Sequence, residues 1–302
     1  MIWTLLNNFS FLTLFFSMGF YWIRAFFNLP KFSDLGKFGV ICGNLAMFFL
    51  LTYRGFIENH FPLSNFYEAL IFLSWSLTSI HLIIEYYFQK FPSSNQWSFI
   101  IGGMTTPTAL FLNAFASFQL PESMQKLNPL VPALQSNWLM MHVTVMLLSY
   151  AALICGCIIS IGYLFLYFQQ PDRSPQRFAP KRTLHLDQID QIGFRSISIG
   201  FPLLTLGIVS GSVWANEAWG SYWSWDPKET WSLITWIFFA VYLHLRLTKG
   251  RASRYKIKSA FVATGGFFVI WICFLGVNFI AKGFHSYGWL PPEGGLFIRL
   301  IN

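Results

Sequence analysis

Charge is what this chain has least of. Asp, Glu, Lys and Arg make up 11% of its 302 residues, and the mean hydropathy is +0.50, whereas about a quarter of an ordinary soluble domain is charged. That deficit excludes a water-exposed surface over most of the chain. Cysteine is also scarce. Cys42, Cys155, Cys157 and Cys273 are the four, and none forms a C-x-x-C pair. This excludes a disulfide framework and a thioredoxin-like site, and the lack of a C-x-x-C-H excludes a c-type cytochrome. Cys155 and Cys157 lie two apart on a helix and point in different directions, which suits packing better than a metal pair. No internal repeat, low-complexity tract or soluble domain interrupts the pattern, so residues 1–302 read as one polytopic domain. Met1–Phe27 has no basic stretch ahead of its apolar run and no small-residue cleavage site. It reads as a retained first span.

What is present is apolar: 55% hydrophobic and 20% aromatic residues. In a bilayer every backbone N–H and C=O needs an internal partner, so apolar runs of about 20 residues predict helices. The expected fold is an all-α integral membrane bundle of about eight transmembrane helices. They fall at roughly 6–27, 38–54, 65–88, 97–118, 137–168, 192–214, 229–248 and 259–283. Gly102, Gly103 and Pro107 would bend the fourth, and the fifth is long enough to project or tilt. Fifteen of the 20 lysines and arginines fall on one side of this arrangement and five on the other. The positive-inside rule then puts both termini on the lumenal or periplasmic side. The net charge of +8 follows from these topology-setting residues and does not point to nucleic acid.

The densest signal is WANEAWGSYWSWDPKETWSLITW, Trp214 to Trp236, which holds six of the 13 tryptophans. Interfacial anchoring accounts for one or two rings per helix end. It does not account for Trp219, Trp223 and Trp225 in the connection itself. Such rings offer an apolar platform for a flat aromatic ligand, with Asp226 and Lys228 as polar trim. Haem fits that description. Asp226 reads as structural or as a contact to the haem edge.

Residues 219–231, WGSYWSWDPKETW, resemble the tryptophan-rich "WWD" signature of haem-handling proteins in cytochrome c maturation. LSNFYEALIFLSW at 63–75, the stretch at 184–215 and FHSYGW at 284–289 resemble the CcsA (ResC-like) branch of the system II machinery. The resemblance implies a subunit of a membrane cytochrome c synthase that binds haem b and supports its covalent attachment to the CxxCH motifs of apocytochromes c. It also implies a CcsB-type (ResB-like) partner, with lyase activity in that complex, and a chloroplast thylakoid or bacterial membrane, the thylakoid favoured. A delivery protein without synthase activity and a b-type di-haem electron-transfer subunit are the alternatives.

Haem iron is most often held by histidine, and ionisable groups inside membranes are functional candidates by default. His142 opens the fifth span and His285 closes the eighth, both level with the tryptophan loop, so they are the expected axial pair. His244 sits about 15 residues into the seventh span. The resemblance implies that it ligates a second haem opposite a histidine of the partner. His81 is the candidate mate within the chain, although Glu85, one turn on, makes a buried polar pair the favoured role. His60 and His185 read as solvent-facing.

Overall fold

The computed structural model describes residues 2–89, 98–125, 136–169, 180–249 and 253–280. Among these residues there is no strand, and eight helices are long and apolar enough to cross a membrane. They are α1 (Ile2–Phe27), α2 (Lys31–Glu58), α3 (Phe66–Gln89), α4 (Ser98–Ala114), α6 (Asn137–Phe168), α7 (Pro180–Trp219), α8 (Pro227–Lys249) and α9 (Ser253–Trp271), with a short α5 (Glu122–Gln125) between the fourth and fifth spans. The chain is an integral membrane protein.

At the centre stands α6. It is apolar on every side and mostly buried from Met146 to Leu164, which is the pattern of a helix surrounded by other helices. Lipid gives apolar side chains little reason to leave it for one another, so close approach and hydrogen bonds must hold helices together. The α6–α7 seam uses both. Ser149 Oγ donates to Gly200 O (2.8 Å) and Ser196 Oγ to Ala152 O (2.7 Å). At Gly200 a Cβ would sit 2.8 Å from Leu153 Cγ, so only glycine admits this contact. On the other flank, a network joins α1, α3 and α4. Asn7 donates to Ser117 Oγ (2.8 Å), Tyr67 donates to Asn7 Oδ1 (3.1 Å), and Asn113 donates to Ser10 Oγ (2.9 Å).

The fourth span runs as an unbroken helix from Ser98 to Ala114 and ends in a π-helical turn, Phe115–Gln119. Pro107 has no N–H to give the carbonyl four residues back, which is Gly103 O. Trp22 Nε1 of α1 donates to that oxygen at 3.0 Å. The membrane thus supplies no unsatisfied carbonyl there, because a neighbouring helix replaces the missing donor.

The sixth span departs most from expectation. The apolar run at 192–214 is the middle of α7, whose 40 residues extend for about 60 Å at 1.5 Å per residue, twice the hydrocarbon thickness of about 30 Å. Its Lys/Arg-rich end carries charge that looks like loop by hydropathy. Asp190 is paired with Arg246 (2.8 Å) and Asp187 with Lys256 (2.6 Å), so the helix continues on pairing with α8 and α9. The tryptophan connection shortens correspondingly to residues 220–226.

Candidate functional site

Helix α7 ends at Trp219, where Gly220 takes φ +74° and its N–H returns to Asn216 O (3.0 Å). This is the left-handed glycine stop of many helices. An added Cβ would meet nothing within 4 Å, so Gly220→Ala isolates the backbone cost. It should destabilise the fold by about 1 kcal/mol in chemical denaturation in detergent, and no change would mean the turn relaxes freely.

The next helix starts by a capping box. Asp226 Oδ1 accepts the N–H of Lys228 (2.8 Å), and Glu229 Oε2 reaches back to the N–H groups of Asp226 (3.2 Å) and Ser224 (2.7 Å). Pro227 occupies the first helical position, where its missing N–H costs nothing. The D-P-K-E order in this loop is therefore a helix start in which each residue has a defined part. Asp226 is buried and is the cap.

The tryptophans do not form one flat platform. Trp214 and Trp219 meet edge to face (centroids 5.0 Å, 79°), as do Trp223 and Trp225 (5.8 Å, 88°). Trp219 Nε1 donates to Ser224 Oγ (3.2 Å) and ties the loop to the end of α7. Trp225 is 69% exposed and holds φ +58°, a left-handed backbone that is costly for a bulky residue and that concentrates at functional sites. Trp231 packs on the core, and Trp236 Nε1 donates to Thr205 Oγ1 (2.9 Å), so these two serve the bundle.

Beneath the loop lies a cavity of about 450 Å³, within the range of small-molecule sites. Trp214 and Trp223 roof it, and His142, Val143, Met146 and Leu147 of α6 form one wall. Leu63–Phe66 at the start of α3 line it as well. Lys228 and Glu229 of α8 and Cys273 and Phe274 complete it. The last two lie in a π-helical turn, Ile272–Gly276, that continues α9. Such turns recur at functional sites because they re-aim side chains. Tyr150 Oη and Cys273 Sγ lie 3.3 Å apart at the cavity lining.

The orientation of His142 is set by α7. Its Nδ1 is 2.6 Å from Gly207 O; a carbonyl only accepts, so Nδ1 carries the proton and Nε2 the lone pair. Its ring lies nearly parallel to Trp214 (12°, centroids 6.5 Å). Gly211 makes room for it: a Cβ there would stand 2.5 Å from the imidazole Cε1 and Nδ1.

Of the expected site residues, the structure brings His142 and Trp223 together on the cavity, with Trp219 edge-on to Trp214, Trp225 edge-on to Trp223 and largely exposed, and Asp226 in the cap. His285 lies outside the described residues. His244 is exposed on the outer surface of α8, sixteen residues beyond Lys228, or about 24 Å along the axis at 1.5 Å per residue. It shares that surface with Ile237 and Val241 and is remote from the cavity. His81 is buried, with Nδ1 2.9 Å from Thr105 Oγ1 and Nε2 3.6 Å from Glu85 Oε2. It forms the polar pair anticipated for it.

Sequence reasoning missed Ser64, Asn65, Tyr150, Cys273 and the Gly207–Gly211 cradle. The motif at 63–75 marked its segment as distinctive, but nothing in its periodicity revealed a cavity wall. That wall is held from behind by a buried cluster. Arg54 Nε donates to Glu68 Oε1 (2.7 Å), and its other nitrogens donate to Gln125 O (3.1 and 3.2 Å). Glu68 Oε2 accepts from both the N–H and the hydroxyl of Ser64 (2.8 Å each).

Residues 63–285 match the cytochrome c assembly protein family. The chain is 48% identical to the cytochrome c biogenesis protein CcsA of Mesostigma viride, over 95% of this chain and 97% of that one. It is 44% identical to the protein of that name from Picosynechococcus (95% and 97%) and 45% identical to that of Trieres chinensis (96% and 100%). Among solved structures, the cytochrome c heme lyase CcmF superposes with a TM-score of 0.66 at 15% identity. That match covers 94% of this chain and 47% of the other, so the chain spans about half of that protein and shares its fold. On residues 63–285 and on identity running nearly end to end, the chain belongs to the cytochrome c assembly protein family as a CcsA-type cytochrome c biogenesis protein.

Proposed function

We propose that this chain is the haem-binding subunit of a membrane cytochrome c synthase, and that the cavity beneath the tryptophan loop is where haem b is presented to apocytochrome c. The observation that carries this reading is the fixed tautomer of His142. The 2.6 Å bond to Gly207 O orients the ring and puts the lone pair on Nε2, as second-shell partners do for metal-binding histidines. An apolar cavity roofed by two indoles suits a porphyrin face. His285 supplies the second axial ligand. The Lys/Arg-poor end of the bundle carries the loop and faces the lumen or periplasm.

His244 holds a second haem nearer the other face. It stands on an outward surface, where a histidine is costly in lipid unless it is paired. A CcsB-type partner brings the opposing ligand, and the membrane is the thylakoid.

The chemistry is positioning. The thiols of an apocytochrome CxxCH motif add across the two vinyl groups: each sulfur bonds one vinyl carbon and the proton goes to the other. Holding the porphyrin edge beside them makes an intermolecular addition effectively intramolecular. The apocytochrome histidine displaces one axial ligand as the product leaves. The protein's ligands keep the iron coordinated meanwhile.

Visible spectra of the detergent-purified chain test this, comparing wild type with His142→Gly, His285→Gly and His244→Gly, with and without imidazole. The two variants at the loop should lose the reduced haem bands and regain them with imidazole. Full haem retention in both, with loss only at His244, would overturn the reading in favour of an intramembrane b-type cytochrome.

A further inference from the structure

Haem is a dicarboxylate as well as a flat ring, and the cavity carries one feature that the axial-ligand reading does not use. Among its lining residues Lys228 is the sole lysine or arginine and Glu229 the sole carboxylate, and Glu229 Oε2 is taken up by the backbone N–H groups of Ser224 and Asp226.

The D-P-K-E helix start explains how it is held there. The box needs Asp226 and Glu229 at their positions, and the intervening Lys228 is carried on the first turn of α8 with its backbone N–H bonded to Asp226 Oδ1. Its ammonium lies within electrostatic reach of Asp226 and of Cys273. Cys273 in turn is 3.3 Å from Tyr150 Oη. Tyr150 follows His142 by eight residues on α6, about 12 Å along the axis. His142 and the Lys228–Tyr150–Cys273 group are therefore separated along the cavity, in the way that a porphyrin separates its iron from its carboxylate edge. An ammonium has three N–H donors and can serve Asp226 and a ligand carboxylate together.

We propose that Lys228 is a carboxylate-binding residue of the cavity, receiving one propionate of the porphyrin and so setting which edge of the ring faces the loop. Tyr150 Oη, 3.3 Å from Cys273 Sγ in the same lining, is a second donor. This rests on the reading of the cavity as a haem site. The arrangement favours a porphyrin free acid over its neutral ester, and it leaves the vinyl edge turned away from the cation, toward the roof.

The test is a titration of the full chain in lipid nanodiscs with haem and with haem dimethyl ester, in wild type, Lys228→Met, Lys228→Gln and His142→Gly. A charge-assisted hydrogen bond contributes enough to give wild type about a 10- to 100-fold preference for the free acid. Lys228→Met should bind both forms with the ester's affinity, and Lys228→Gln, which keeps a polar group without charge, should do the same if the methionine variant fails to fold. Unchanged discrimination in the Lys228 variants, with spectra still dependent on His142, would overturn the carboxylate role while leaving the haem site in place. A wild-type spectrum that His142→Gly does not alter would overturn the haem site itself, and the assignment of Lys228 with it.

Discussion

Glu68→Ala is expected to destabilise the fold by about 3–5 kcal/mol, because it strands the Arg54 guanidinium in a buried setting. Both side chains are almost wholly buried and 2.7 Å apart. Glu58, 3.7 Å from the same guanidinium, offsets part of the loss, so the lower end of that range is the better figure. The same substitution releases the two bonds from Ser64 to Glu68 Oε2 and with them the cavity wall at Leu63–Phe66. Chemical denaturation in detergent measures the first effect and haem titration the second. The double variant Arg54→Met/Glu68→Leu should recover most of the stability, since replacing a whole buried pair by apolar groups is often neutral. Wild-type stability in Glu68→Ala alone would show that the pair is not structural. Arg54→Lys should not substitute, because one ammonium cannot reproduce the fork that holds Glu68 and Gln125 O at once.

Gly211→Ala is expected to weaken haem binding by about 10- to 100-fold, the usual cost of disturbing a second-shell partner of a metal ligand. The new methyl would lie 2.5 Å from the His142 ring. The imidazole can escape only by swinging off Gly207 O into the cavity, which frees its tautomer and its aim. Stability should change by less than about 1 kcal/mol, because alanine favours the helix and the ring has room to move. Weak binding with an intact fold is the signature sought. Unchanged haem affinity would show that the cradle does not orient His142. Gly207→Ala is a milder perturbation, for the atom in its way is the flexible Sδ of Met146, also at 2.5 Å.

Much of the architecture was legible because the properties that specify it are local. An apolar run of 20 residues needs no partner to declare itself, and lipid leaves its backbone only the helix. All eight spans appear where the runs lie. Boundaries were legible only where polarity coincided with a helix end. At α7 it did not, since Asp187 and Asp190 find Lys256 and Arg246 on other helices. Pro107 illustrates the same limit. It signals a bend on its own, yet Trp22 in α1, 81 positions before Gly103, answers the Gly103 carbonyl that it leaves open.

The candidate site divides in the same way. Its candidate residues could be named from Trp214 to Trp236 and from His142, because a cluster of large rings and an imidazole at the end of a span stand out in an apolar chain. Asp226 read from the sequence as structural or as a haem-edge contact, and its part as a helix cap, like the place of Lys228 on a cavity, came from the structure. By itself, then, the sequence determined a membrane bundle of eight helices, the end that carries the tryptophans, and the histidine expected to meet iron. Only the tertiary structure decided that the rings meet nearly at right angles, that Leu63–Phe66 share a cavity with Trp214 and Trp223, and that the proton of His142 sits on Nδ1. The reason is physical. Helix formation in lipid is settled by neighbours in sequence, whereas a tautomer, a cavity and a cation's surroundings are settled by atoms brought together from far along the chain, as Gly207 O is brought to His142 from 65 positions away.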